Sequence, residues 1–358
     1  MATSIGFGIL GAGLVSPFHA KAIQASKGGK LLAICDMAKE RADKMAAEYK
    51  VKAYYTFKEM LADPAIQVVN ICLPNHLHRD AVVQAAAAKR HVLTEKPPAM
   101  SLHDTDEMIT ACKKARVKFG CTVQCRVRKS IQAIKQAIDS GRFGTVLHAD
   151  AYMKWFRSIE YYQSDAWRMS RKSGAGVTVQ HAFHYIDLLQ YLIGPARRVQ
   201  ARMNNLAHPG IQIEDTVLAF VEFANGAQGV VEASTALWPG TDLRIEINGT
   251  NGTAIVTGEK IHTWKFRDEQ PGDDAIRQLG SASQATAAGG ATDFGFLDHQ
   301  VVIQDMIDAV REDREVVIPV TAVRPTLEIV LAMYQSAAKR RAVSLPVKDD
   351  ESAWEWKG

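Results

Sequence analysis

The sequence has no apolar run of about 18 residues, so it offers no membrane-spanning helix. It passes from Met-Ala-Thr-Ser straight into an apolar strand, without the charged stretch and cleavage site of a secretory leader, and a cytoplasmic protein is expected. Cysteine is sparse: Cys35, Cys72, Cys112, Cys121 and Cys125 are odd in number and confined to the first 125 residues. No pair among them has metal-ligand spacing backed by a second pair, so they read as reduced core thiols, with no disulfide framework and no metal centre. Charge of one sign is not in excess either. Lys and Arg total 43 against 39 Asp and Glu, a net +4, which leaves no electrostatic footprint for nucleic acid. No internal repeat is present.

What is there suits two domains. A chain of 358 residues, 47% hydrophobic and 23% charged, buries sizeable cores unaided. Over the first 125 residues short apolar runs alternate with helical patterns: Ile5–Leu10, Leu31–Cys35, Val68–Leu73, His91–Thr94 and Val117–Val123 are strands, and Pro17–Ala25, Lys39–Tyr49 and Asp80–Ala88 are helices. That alternation predicts a parallel sheet covered on both faces. After Arg126 longer strand-like segments follow, broken by Asn225-Gly226 and Asn251-Gly252, a strong hairpin signal. The expected architecture is an α/β Rossmann domain with a parallel sheet over residues 1–124, then an α+β domain with a large, mainly antiparallel open sheet over 125–358. Residues 267–294, rich in Gly, Ala, Ser and Asp, read as a mobile loop, and helices Val301–Arg311 and Thr326–Ala338 close the chain.

A strand running into Gly11-Ala12-Gly13-Leu14-Val15-Ser16, with a helix behind it, is a dinucleotide fingerprint whose third position is Ser rather than Gly. Gly11 serves the tight turn, Gly13 the approach of a pyrophosphate to the helix N-terminus, and Leu14 and Val15 complete the turn. Asp36 ends the second strand, where an acid bonds the adenosine ribose and repels a 2′-phosphate. NAD is therefore expected over NADP, although Lys39 and Arg41 stand nearby; a helix N-cap is the alternative role for Asp36.

Residues 91–98 read HVLTEKPP, and Glu95-Lys96-Pro97 follows a strand. With the opening fingerprint, this resembles the Gfo/Idh/MocA family of glucose–fructose oxidoreductases and inositol dehydrogenases, over nearly the whole chain. Pro74-Asn75-His76-Leu77-His78 is similar to the family's loop after the fourth strand, and Gln124-Cys125-Arg126 to its crossing into the second domain. SGAGVTVQHAFHYIDLLQYLIG, residues 173–194, is similar to its substrate-domain signature. The resemblance implies that Pro74, Asn75, His78, Glu95 and Lys96 bind the cofactor, with Lys96 beside the nicotinamide. It implies that Lys96 contacts the reacting hydroxyl, and a cation at the carboxyl end of a parallel strand suits that task. His184 is then the candidate base. Where inositol dehydrogenase-like members carry an Asp, this chain has Gln180, which bonds a hydroxyl but takes no proton. A helix reaching back far enough would align Gln180, His184, Asp187 and Tyr191 on one polar face, with Asp187 orienting His184 or serving the helix's first turn.

WFRSIEYYQSDAWR, residues 155–168, is similar to a subgroup acting on nucleotide-linked or acetamido sugars. Aromatic rings suit a pyranose face and Arg suits a carboxylate or phosphate, so Arg157, Tyr161, Trp167 and Arg168 are substrate candidates, with Arg126, His181 and Asp187; a packed loop is the plainer reading. The expected function is an NAD(P)-dependent oxidoreductase at a secondary hydroxyl of a sugar, sugar derivative or polyol. Two alternatives stand beside it: a redox-neutral glycosidase or lyase with tightly bound NAD, and a non-catalytic NAD-binding regulator. A homodimer or homotetramer is expected, because a sheet with one covered face leaves the other for a partner.

Overall fold

The computed structural model describes residues 4–174, 176–281, 288, 290, 295–348 and 354. They divide into two compact units, Met1–Gln124 with Gly295–Arg324, and Cys125–Phe294 with Pro325–Gly358.

The first unit is built on six parallel strands: β1 (Ile5–Leu10), β2 (Gly29–Cys35), β3 (Lys52–Tyr54), β4 (Val68–Ile71), β5 (His91–Thr94) and β6 (Phe119–Cys121). Their order is β3-β2-β1-β4-β5-β6. Helices α1 (Ser16–Ala25), α2 (Lys39–Tyr49), α3 (Phe57–Ala62), α4 (His78–Ala87) and α5 (Leu102–Ala115) make the crossovers. Strands β1 and β4 are buried throughout, as a sheet covered on both faces requires. The chain order reverses between β1 and β4, so the carboxyl ends of these strands flank a topological switch point, where open α/β sheets bind ligands. Short β3 and α3 carry too few residues to show a period; α5 is also absent from the helices expected from sequence, although it buries Leu102, Thr105, Met108 and Cys112 behind a Ser101 cap.

The linear division at 124/125 misses one return. Helix α11 (Leu297–Glu312) belongs to the first unit: Gln300 donates to the Ala25 carbonyl, 2.9 Å, and Gln304 accepts from the Lys27 N–H, 2.8 Å. Sequence proximity gave the helix to the second domain; its side chains bond to the end of α1.

The second unit opens with α6 (Lys129–Asp139), β7 (Val146–Lys154), α7 (Ile159–Gln163), α8 (Val177–Gln180) and α9 (Phe183–Ile193). Strands β8 (Ala196–Asn204), β9 (Thr216–Phe223), β10 (Gln228–Ser234), β11 (Arg244–Gly249), β12 (Gly252–Thr257) and β13 (Lys260–Phe266) follow, then α10 (Asp273–Arg277). Helix α12 (Val320–Lys339), with Pro325 inside it, begins in the first unit and ends in the second, and β14 (Val343–Ser344) completes an eight-stranded sheet ordered β13-β12-β11-β7-β10-β9-β8-β14. Every pairing in it is antiparallel except β7 with β10. Burial alternates along β8, β9 and β10, so one face packs inward, and Leu218, Phe220 and Val230 stand on the other. Part of the segment read as a mobile loop is ordered: α10 is anchored by buried Asp273, which pairs with Arg142 and accepts from Trp264 Nε1, 2.7 Å. Residues 282–287, 289 and 291–294 of that segment lie outside the described residues. All five cysteines are buried thiols.

Candidate functional site

The glycine turn after β1 has the geometry a pyrophosphate needs. Gly11 has φ +100° and lies so close to the neighbouring strand end that a Cβ would sit 2.4 Å from the Cys72 carbonyl oxygen. A Cβ on Gly13, by contrast, would meet nothing within 4 Å, so the open space over that residue is available to a phosphate group at the start of α1. Leu14 is exposed and Val15 half-buried beside it. Ser16, the departure from the fingerprint, donates through Oγ to the Gly11 carbonyl, 2.7 Å, and so closes the turn from inside.

Asp36 does more than wait for a ribose. Its Oδ2 accepts from the Ala12 N–H in the glycine turn, 2.9 Å, and its Oδ1 from the Ala38 N–H ahead of α2, 2.8 Å. Each carboxylate oxygen has a second lone pair, so the ribose role and the local tether coexist. The chemistry of the donor set fits a dinucleotide.

Pro74, buried Asn75 and His78 follow β4, and Glu95 with half-buried Lys96 follows β5, so both loops lie at carboxyl ends of adjacent strands. His78 is a correction to the expected cofactor contacts. It is fully buried, with Nδ1 2.9 Å from the Pro97 carbonyl and Nε2 2.9 Å from the Leu73 carbonyl. The ring therefore sits between the two loops, donating to one carbonyl in each neutral tautomer, and burial holds its pKa below its ordinary value. The Glu95 carboxylate also faces inward, 2.8 Å from His19 Nε2. His19, Asn70 and His299 around it were not found from sequence; a lone His on an apolar helix carries no signal of this kind.

In the second unit the substrate candidates gather around Tyr161. Its hydroxyl accepts from Arg168, 2.9 Å, and lies 3.4 Å from Gln180 Oε1 and 3.4 Å from His181 Nε2. Arg157 and Arg168 both stack on its ring, and Arg168 also on Trp167. Arg157, Arg168, Gln180 and His181 are buried, and Tyr161, Trp167 and His184 half-buried. A second layer holds this cluster. Asp215 binds His208 Nδ1, 2.8 Å, and His208 Nε2 donates to the Arg157 carbonyl, 2.7 Å. Sequence reasoning missed that pair because a turn separates His208 from β9.

Two expectations about the signature helix need correction. The helix does not run from Gln180 through Tyr191: α8 ends at Gln180, His181 leaves helical geometry, and α9 starts at Phe183. Gln180 is therefore off the α9 face that carries His184, Asp187 and Tyr191. Asp187 does not orient His184 either. It is wholly buried, and Arg126 clamps it through two bonds of 2.6 Å, while the Thr326 hydroxyl donates to it at 2.8 Å. The predicted substrate contacts Arg126 and Asp187 thus bind each other, a bidentate pair that fixes the start of the unit to α9. The Gly-rich lead-in has its own reason. Gly176 has φ +119°, and a Cβ there would lie 2.2 Å from Glu214 Oε2. Glu214 accepts from the Thr178 N–H, 3.0 Å, and the Tyr334 hydroxyl, 2.7 Å, and so caps α8 from below. Burial pushes its carboxyl up to about 7.

Comparison with known proteins places these features. Residues 5–123 match the family model described as an oxidoreductase family with an NAD-binding Rossmann fold, and residues 131–255 match the GFO/IDH/MocA C-terminal domain. The chain is similar to the WlbA dehydrogenase from Bordetella pertussis, solved with NADH and UDP-GlcNAcA. The identity is 30%, 97% of this chain and 99% of that one are covered, and the TM-score is 0.90. It is 29% identical to the myo-inositol 2-dehydrogenase of Thermotoga maritima, over 76% of this chain and 80% of that protein. It is 26% identical to the 2,7-anhydro-N-acetylneuraminate hydratase of Escherichia coli, over 75% of each.

Proposed function

Because the chain belongs to the GFO/IDH/MocA oxidoreductases, with their NAD-binding Rossmann domain, we propose that it oxidises a secondary hydroxyl of a nucleotide-linked sugar that carries an acid group. The observation that carries the acid group is Arg168. It is buried, sandwiched by Tyr161 and Trp167, and its Nε has no hydrogen-bond partner among the described residues. Its carboxylate neighbour, Asp165, stands 3.6 Å off on a far more exposed side chain. A buried guanidinium so loosely paired suits a planar anion, and a uronate carboxylate has that shape. The UDP-GlcNAcA held by the Bordetella relative is a ligand of this class.

Bound nicotinamide supplies the hydride acceptor. The chain must handle the hydroxyl proton, and an imidazole, here His184, is the side chain suited to act as general base. Lys96 supplies positive charge for the developing alkoxide. Gln180 positions a hydroxyl without ionising, Tyr161 and Trp167 offer faces to the sugar ring, and Arg157 and His181 complete the polar wall. We place the protein in the cytoplasm, since five buried thiols suit a reducing compartment. We also propose a homo-oligomer assembled on the open sheet face.

The test is NADH formation by the purified chain with NAD and a UDP-linked acetamido uronic sugar, against its neutral counterpart and an inositol. The acid sugar is expected to lead by about tenfold or more in kcat/KM, since a site built for a polar group rejects the analogue lacking it. Lys96→Ala and His184→Ala are each expected to lose about 10²-fold in turnover. Preference for the neutral sugar sinks the acid reading, and near-normal turnover in either variant sinks its role. The Escherichia coli hydratase favours one second reading, a redox-neutral reaction with retained NAD. Product formation without net NADH selects it.

A further inference from the structure

The loop carrying Lys96 is gripped from both sides by buried imidazoles that the proposed nucleotide and sugar contacts do not use. Ahead of Lys96, Glu95 Oε1 lies 2.8 Å from Nε2 of His19, which is fully buried in the first turn of α1. His19 Nδ1 is 2.9 Å from the Asn70 amide on β4, and the His299 ring of α11 meets the His19 ring edge-on at 5.2 Å. After Lys96, the Pro97 carbonyl meets His78 at the start of α4, and the same ring reaches the Leu73 carbonyl. The Glu95 backbone is pinned as well, its N–H donating to the Ile71 carbonyl at 3.0 Å. Three helices and two strand ends thus converge on the residues flanking Lys96.

The surroundings push the two imidazoles in opposite directions. Burial alone would make His19 neutral, but Cys72 and the Glu95 carboxylate outweigh it and hold its pKa up to about 10. Burial would also push Glu95 up, and the His19 bond and charge, with His299 and Lys96 adding theirs, bring it down to about 2. The pair is imidazolium and carboxylate near neutral pH. An imidazolium has two N–H donors, so Nδ1 must donate and Asn70 must offer its amide oxygen. Turning the Asn70 amide over presents Oδ1 to that N–H. Around His78 burial acts the other way and lowers the ring's pKa, against the two carbonyls that favour an N–H on each nitrogen.

We propose that His19 is a positioning residue for Lys96: its bond to Glu95 fixes that carboxylate beside the Lys96 ammonium, while His78 fixes the backbone on the other side. The titratable groups that face this brace are the Cys72 thiol after β4, Glu95 and Lys96 after β5, and His299 on α11. If the brace were only a spacer, neutral groups of the same shape would serve equally well. Because it sets the charge next to Lys96, neutralising it alters turnover while leaving the fold and the nucleotide turn in place. The inference rests on the reading of Lys96 as a catalytic residue.

The experiment compares Glu95→Gln, His19→Gln and the double variant, in the full chain loaded with NAD. Turnover, sugar KM, NAD Kd, melting temperature and the pH profile of kcat are measured for each. Glu95→Gln is expected to lower kcat about tenfold or more, with KM and NAD Kd changed by about twofold at most. The limb of the pH profile that reports the Lys96 ammonium is expected to move to lower pH, because a neighbouring negative charge is gone. The double variant is expected to be no worse than the poorer single one, since the pair acts as a unit. Independently of activity, ¹⁵N resonances of the wild-type protein are expected to show both His19 ring nitrogens protonated at about pH 8, where an ordinary histidine is neutral. An unchanged kcat and pH profile in Glu95→Gln overturns the proposal, and so does a neutral His19 at that pH or an additive double variant. Normal turnover in Lys96→Ala, with His19 charged, overturns the catalytic reading of Lys96 instead.

Discussion

An Asp in the first turns of a helix and an Arg just past a domain crossing are ordinary candidates for ligand contacts. Asp187 and Arg126 meet each other instead, at two bonds of 2.6 Å and with Thr326 completing the carboxylate. Desolvating both charges is expensive, so such a pair is weak evidence of added stability while it is intact. Removing one partner is another matter, because the survivor stays buried without its counter-charge. Asp187→Ala is expected to destabilise the protein by about 3–5 kcal/mol, read from denaturant midpoints. A variant that unfolds like the wild type would return Asp187 to the substrate. His78 and Glu95 teach the same lesson: their motif positions beside the cofactor loops were legible, but which way each side chain turns was not.

At the scale of elements, the break between α8 and α9 separates Gln180 from His184, and its support lies underneath. Gly176 passes so close to Glu214 that no side chain fits, and the Glu214 carboxyl caps α8 while bonding Tyr334 of α12. Burial raises its pKa from 4.5 to about 7, so the fold favours the protonated form. Stability from that proton is fully present below the unfolded pKa and is lost as pH rises through about 7. Glu214→Gln, a neutral mimic, is therefore expected to gain on the wild type across that window, by up to about 3 kcal/mol. Thermal melts of both proteins between about pH 4.5 and 8 check it, and a difference that stays flat with pH refutes the buried-proton account.

At the scale of the molecule, the eight-stranded sheet buries one face and leaves Leu218, Phe220 and Val230 on the other, with 51%, 39% and 38% of their surfaces exposed. They lie on the neighbouring strands β9 and β10, a contiguous apolar stripe of the kind that marks an interaction surface. A second copy of the chain is the partner proposed for it. Light scattering at micromolar concentration is expected to give a dimer or tetramer mass. Phe220→Asp, which buries a charge in any interface built there, is expected to shift that mass toward the monomer. A wild-type monomer would remove the proposal.

The sequence by itself determined the period of each segment, and with it the fold class, because alternation and helical spacing are local. It also determined the glycine turn, Asp36 and the position of Lys96 at a strand end, since backbone conformation and residue type suffice for those. The residues that surround them came only from tertiary structure. His19 and Glu95 are separated by 76 residues in the chain, and Gln304 reaches Lys27 across 277. No local pattern encodes such pairs. They form because the sheet brings the carboxyl ends of β1, β4 and β5 side by side and burial then leaves each polar group to find its partner among whatever lies within about 3 Å.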